Sequence, residues 1–176
     1  MTDTRQTTFT FADHPFTLSP CHLVTLIGYG NDLRGDDAVG QRVAAAVAKA
    51  RLPDVRALAV HQLTPELAAQ LADAQLAIFV DASGAERELM DICARPIVPV
   101  SSHVMAGHTA DPRTLLALAQ LVYGRYPQAW WITIPALRYD FGADLSPEAR
   151  RGAAAALGRI RALVRTTRSQ LCTKSG

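Results

Sequence analysis

Apolar runs alternate with helical periodicity along this chain, and the alternation predicts its elements. Leu23–Ile27 is apolar but for Thr25, as befits a strand buried on both faces. From Asp36 to Ala50, Val39, Val43 and Val47 recur four apart, which predicts a helix with one apolar face. Val55–Val60, behind Pro53, reads as a second strand. In "TPELAAQLADA", Thr64 is the expected helix N-cap and Pro65 the first helical residue. "LAIFVDAS" is a third strand, apolar until Asp81. Pro96 and Pro99 restrict "RPIVPV" to an extended edge segment. Asp111 caps a helix that opens at Pro112 and runs to about Tyr123, and "AWWITIP" is the next strand. Ser146 caps a long last helix with Pro147 and Glu148 in its first turn. About twenty residues at the start, and those from about Thr167 onward, read as peripheral tails.

Such alternation, with no internal repeat and no linker, predicts one domain over residues 1–176. The expected architecture is a three-layer α/β/α fold. Its sheet should be twisted, five-stranded and mostly parallel, with one antiparallel edge strand. Sheets of this class bind ligands where the carboxyl ends of the strands surface. Three chemically loaded places fall there: the Gly30–Asp37 loop, His61 and Asp81.

Composition narrows the options. A formal net charge of +2, with 49% hydrophobic and 19% charged residues, describes a soluble globule without the field that nucleic-acid binding requires. Arg150, Arg151, Arg159, Arg161, Arg165 and Arg168 read as the solvated face of the terminal helix. No apolar run is long enough to span a membrane, and the polar first twenty residues are unlike a secretory signal. Cys21, Cys93 and Cys172 have neither metal-finger nor redox spacing, which fits a reduced, cytoplasmic compartment.

"LVTLIGYGNDLRGDDAVG" carries the first candidate chemistry. Gly28 and Gly30 evoke a nucleotide loop, but Leu33 stands where a third glycine belongs and no Gly-Lys-Ser/Thr follows. The glycines therefore shape a turn that presents the side chains after it. Adjacent helical residues point about 100° apart, so Asp36 and Asp37 divide their tasks. Asp36 is placed to cap the helix and Asp37 to project into the crevice, although both also suit the helix dipole alone. Asp81 ends a buried strand, where an unpaired carboxylate is costly. It is either a turn former or a site acid. With His103 from "PVSSHVMAGH", these acids would make an oxygen–oxygen–nitrogen set suited to a borderline divalent ion.

"GYGNDLRGDDAVG", "IFVDAS" and "SSHVMAGH", in this order, resemble the hydrogenase maturation proteases. These endopeptidases trim the C-terminus of the large subunit of nickel–iron hydrogenases. The likeness runs from about Leu23 to about Leu163, and "GADLSP" is similar to the family's segment before its last helix. It implies a sheet of mostly parallel strands between helices. It also implies metal-contacting positions at Asp37, Asp81 and His103, with Asp37 and Asp81 the candidates for catalytic base. Two departures stand out. Asp37 replaces the glutamate of many members, and "HQLTPELA" replaces a glycine-rich turn, which makes His61 and Gln62 candidates to line the cleft. Asn31 and Asp36 join them as candidate substrate contacts. The resemblance further implies that nickel arrives in the substrate, the large-subunit precursor, and is read as a checkpoint. Two readings remain open: an endopeptidase, or a non-catalytic module that senses nickel loading without cutting.

Overall fold

The computed structural model describes residues 23–84, 91–100, 111–142 and 144–173. Strand β1 (Val24–Tyr29) leads through a short 3-10 turn (Gly35–Ala38) into α1 (Val39–Lys49). Then come β2 (Val55–Val60), α2 (Leu67–Ala72), β3 (Leu76–Gly84) and β4 (Cys93–Ile97). Helix α3 (Pro112–Tyr123), β5 (Gln128–Ala136) and α4 (Pro147–Cys172) complete the order. Among the described residues the strands form one five-stranded sheet, in the order β2-β1-β3-β5-β4. Four strands run parallel, and β4 pairs antiparallel with β5 at the edge. The α/β architecture is the one the apolar pattern predicts.

Burial explains the layering. Val39, Val43 and Val47 of α1, with Ile160 and Val164 of α4, cover one face of the sheet against Leu26, Ile78 and Ile132. Leu67 and Leu71 of α2, with Leu115 and Leu116 of α3, cover the other against Ile27 and Phe79. Each fully buried Leu, Ile or Phe contributes roughly 2 kcal/mol. Strand β3 lies in the middle and is buried from Leu76 to Val80. The alternation breaks only at Asp81, where the strand emerges.

Two helix starts differ from expectation. Thr64 caps nothing: Thr64 and Pro65 accept i+3 bonds in a tight turn, and α2 begins only at Leu67. Asp36 does not cap α1 either, whose N-cap is Ala38. Elsewhere the signals hold. Asp111 Oδ1 accepts from the Arg113 N–H at 2.8 Å, and Ser146 Oγ accepts from the Ala149 N–H at 3.1 Å. The last helix does not fray at Thr167 but continues through Cys172. Its end is held by the Thr167 hydroxyl on the Leu163 carbonyl and by Arg168, which donates to the Pro53 carbonyl. Among the described residues, no helix is long and apolar enough to cross a membrane.

Candidate active site

Parallel pairing brings the carboxyl ends of β1, β3 and β5 to one edge of the sheet. The chain leaving β1 must turn at once, and Gly30 makes the turn at φ 137°, a conformation that other residues avoid. A Cβ there would also overlap the Asp37 carbonyl. Gly28 and Gly40 form a second close approach. A Cβ on Gly28 would meet the Gly40 carbonyl, and one on Gly40 would meet the carbonyls of Tyr29 and Val80. Gly40 thus provides the tight helix–strand contact that Leu33 cannot.

The turn holds Asp37 at the crevice. The Asn31 N–H donates to Asp37 Oδ2 at 3.0 Å, and the Asn31 side chain accepts from the Leu33 N–H at 3.0 Å. Gln41 fastens the loop from the helix side, donating to the Gly30 carbonyl at 2.5 Å. Asn31 therefore shapes the loop with both its backbone and its side chain. Asp37 is partly exposed.

Asp81 faces Asp37 closely enough to sense its charge. Burial pushes the Asp81 carboxyl up first. The Tyr29 hydroxyl and the Ala82 amide pull it back, and the Asp37 charge raises it again, for a value of about 6. That value suits an acid that exchanges protons near neutral pH. Tyr139 also belongs here. Its phenol is raised first by burial and then by the charges of Asp37, Asp36 and Asp81. Nothing in the local sequence around Tyr139 signals this, because a loop from the far end of the chain brings it in.

Asp36 is a correction in both of its expected roles. It is 0% exposed. The N–H groups of Leu137 and Arg138 donate to its Oδ2 at 2.8 and 3.0 Å, as does the Ser146 hydroxyl at 2.8 Å. The Ser146 N–H donates to its Oδ1 at 2.6 Å. With its oxygens taken, it neither caps α1 nor reaches a substrate. It ties the β1–α1 loop to the β5–α4 loop. Burial pushes its carboxyl up, but the bonds from Ser146, Leu137 and Arg138 outweigh this and hold it below the ordinary range. The two loops also meet at an Arg34–Phe141 β-bridge, where the Arg34 guanidinium lies 5.4 Å from the Phe141 ring.

His61 and Gln62 are exposed at the carboxyl end of β2, and the His61 carbonyl accepts from the Gly30 N–H at 3.3 Å. They adjoin the loop. His103 lies outside the described residues. Among the described residues, no three His, Cys, Asp or Glu side chains gather as a metal site. Asp37 and Asp81 lie near enough for the charge of the one to act on the other. On the two loops that Asp36 ties together, Leu33, Leu137 and Phe141 stand 61%, 45% and 75% exposed.

No protein-family model matches the sequence, and no curated protein sequence matches it. Solved structures do. A nickel–iron hydrogenase maturation protease from Thermococcus kodakarensis superposes with a TM-score of 0.63 at 20% identity, covering 82% of this chain and 93% of that one. A hydrogenase maturating endopeptidase from E. coli gives 0.62 at 18%, with the same coverages of 82% and 93%. A hydrogenase 2 maturation peptidase from a Thaumarchaeota archaeon gives 0.60 at 22%, covering 80% and 97%. The chain has the fold of the hydrogenase maturation proteases.

Proposed function

We propose that this protein is an endopeptidase that removes the C-terminal peptide of a nickel-loaded hydrogenase large-subunit precursor, with the substrate's nickel as recognition element. The observation that carries the reading is the meeting of Asp37 and Asp81, from two separate elements, at the carboxyl edge of a sheet with the maturation-protease fold. A like charge beside Asp81 makes that acid harder to ionise and needs a reason. A shared cation supplies one. Two carboxylates would make an incomplete shell of hard oxygens around a cation, which the substrate's own ligands would complete. His103 would be the third ligand by the sequence resemblance. The exposed Leu33, Leu137 and Phe141 suit a polypeptide better than a small polar molecule.

In the cut, Asp81 is the general base. It takes a proton from water as the water oxygen bonds to the scissile carbonyl carbon. It returns that proton to the amine nitrogen as the C–N bond breaks, so the peptide is hydrolysed with no net proton change. Asp37, anchored by the Asn31 N–H, keeps its contact to the substrate's metal while Asp81 carries the proton. The reading implies a cytoplasmic protein whose partner is the precursor.

Mass spectrometry of nickel-loaded precursor, with and without the purified protein, tests this. Loss of the tail's mass from the nickel-loaded precursor, and none from nickel-free precursor, is the expected result. Complex formation without cleavage would replace the protease with the non-catalytic sensor, and equal cleavage without nickel would remove the checkpoint.

A further inference from the structure

Beneath Asp81 lies a pair of buried polar groups that the proposed mechanism does not use. Among the described residues, the Tyr29 hydroxyl and the Trp131 indole N–H are both buried without a well-formed hydrogen-bond partner. An unpartnered buried donor costs free energy, so two together near a site acid call for an explanation.

The sheet register supplies one. Gly28 pairs with Val80, which sets Tyr29, the next residue of β1, beside Asp81. Phe79 pairs with Trp131 across β3 and β5, and side chains two apart on a strand share a face. Tyr29, Phe79 and Trp131 pack into one cluster on the α2–α3 side of the sheet. The Tyr29 hydroxyl, the Trp131 indole and the Asp81 carboxylate therefore gather on one face of three adjacent strands. The Arg95 guanidinium, 4.9 Å from the Trp131 ring, packs over the indole.

We infer that Tyr29, backed by Trp131, is a positioning residue for Asp81. The Trp131 N–H donates to the Tyr29 oxygen, and the Tyr29 O–H donates to one Asp81 oxygen. The other Asp81 oxygen is thereby left facing Asp37 and the substrate. The electrostatics agree with this order: burial raises the Tyr29 phenol first, Asp81 raises it further, and Trp131 lowers it. The motif "GYGN" thus carries a functional group in the position between its glycines. The inference rests on the reading of Asp81 as a site acid and adds the means by which that acid is aimed.

The test is Tyr29→Phe, which keeps the ring and removes only the hydroxyl. Isotope-edited infrared spectroscopy with labelled aspartate follows the Asp81 carboxylate band, assigned by its disappearance in Asp81→Asn. The expected result is a shifted band, kcat for precursor trimming about tenfold lower, and KM unchanged. Trp131→Phe is expected to shift the same band less, and it replaces the first variant should Tyr29→Phe fail to fold. If the hydroxyl is only an orphaned polar atom, Tyr29→Phe will raise Tm and leave the band in place, which overturns the inference. A shifted band with kcat unchanged also overturns it. Should the wild-type protein leave nickel-loaded precursor uncut, the protease reading falls, while the band still decides whether Tyr29 holds Asp81.

Discussion

Three neighbouring acids in this chain differ in fate because of what surrounds them. Asp36 is saturated by backbone and hydroxyl donors, Asp37 is anchored at one oxygen, and Asp81 is buried beside a like charge. Asp36→Asn points an amide at donors and is expected to destabilise the fold by about 3 kcal/mol, read from chemical denaturation. Because the folded state depresses its pKa below 3.8, its stabilising effect is full above that pH and is lost as pH falls through the depressed value. Asp81 has the opposite sign. Its folded value of about 6 exceeds the unfolded 3.8, so stability is greatest below pH 3.8 and declines as pH rises towards 6. Asp81→Asn should therefore abolish trimming yet flatten that decline, raising neutral-pH stability by about 1 kcal/mol. Calorimetry across pH 4–7 checks the direction. Asp37 and Asp81 were legible in the sequence, one after a glycine turn and one ending an apolar run. Asp36 was not, because its partners Leu137, Arg138 and Ser146 lie more than a hundred positions away.

Elements were read best where the signal was local. Strand β2 has its predicted bounds, and Asp111–Pro112 and Ser146–Pro147 mark real helix starts. Thr64–Pro65 has the same chemistry and marks a turn instead, since carbonyls at Thr64 and Pro65 accept i+3 bonds before α2 forms. The start of α1 departs from its local signal for a different reason. Gly40 lets the helix sit directly on the Tyr29 and Val80 carbonyls, and a contact across elements leaves no periodic trace. Gly40→Ala should force α1 off the sheet, cost roughly 1–3 kcal/mol and slow trimming through displacement of Asp37. The urea midpoint and kcat would be measured together. Ser146→Ala removes both the α4 cap and an Asp36 donor, with an expected loss of about 1–2 kcal/mol in denaturant titrations.

For the whole molecule, the sheet order sets what opens last. Strands β1, β3 and β5 lie inside the sheet, while β2 and β4 form its edges. Amide exchange followed by mass spectrometry should be slowest in β1 and β3 and faster in β4. Asp81 stands on β3 and Asp37 in the turn that follows β1, so local opening at the edges leaves the pair in place. The Asp36 tie has a consequence in time as well as in space. During synthesis both site acids leave the ribosome well before Ser146, so the strands can align while the loop that aims Asp37 still lacks its anchor. A nascent chain thus holds both acids before either loop is fixed, and the arrival of Ser146 and the last helix completes the site.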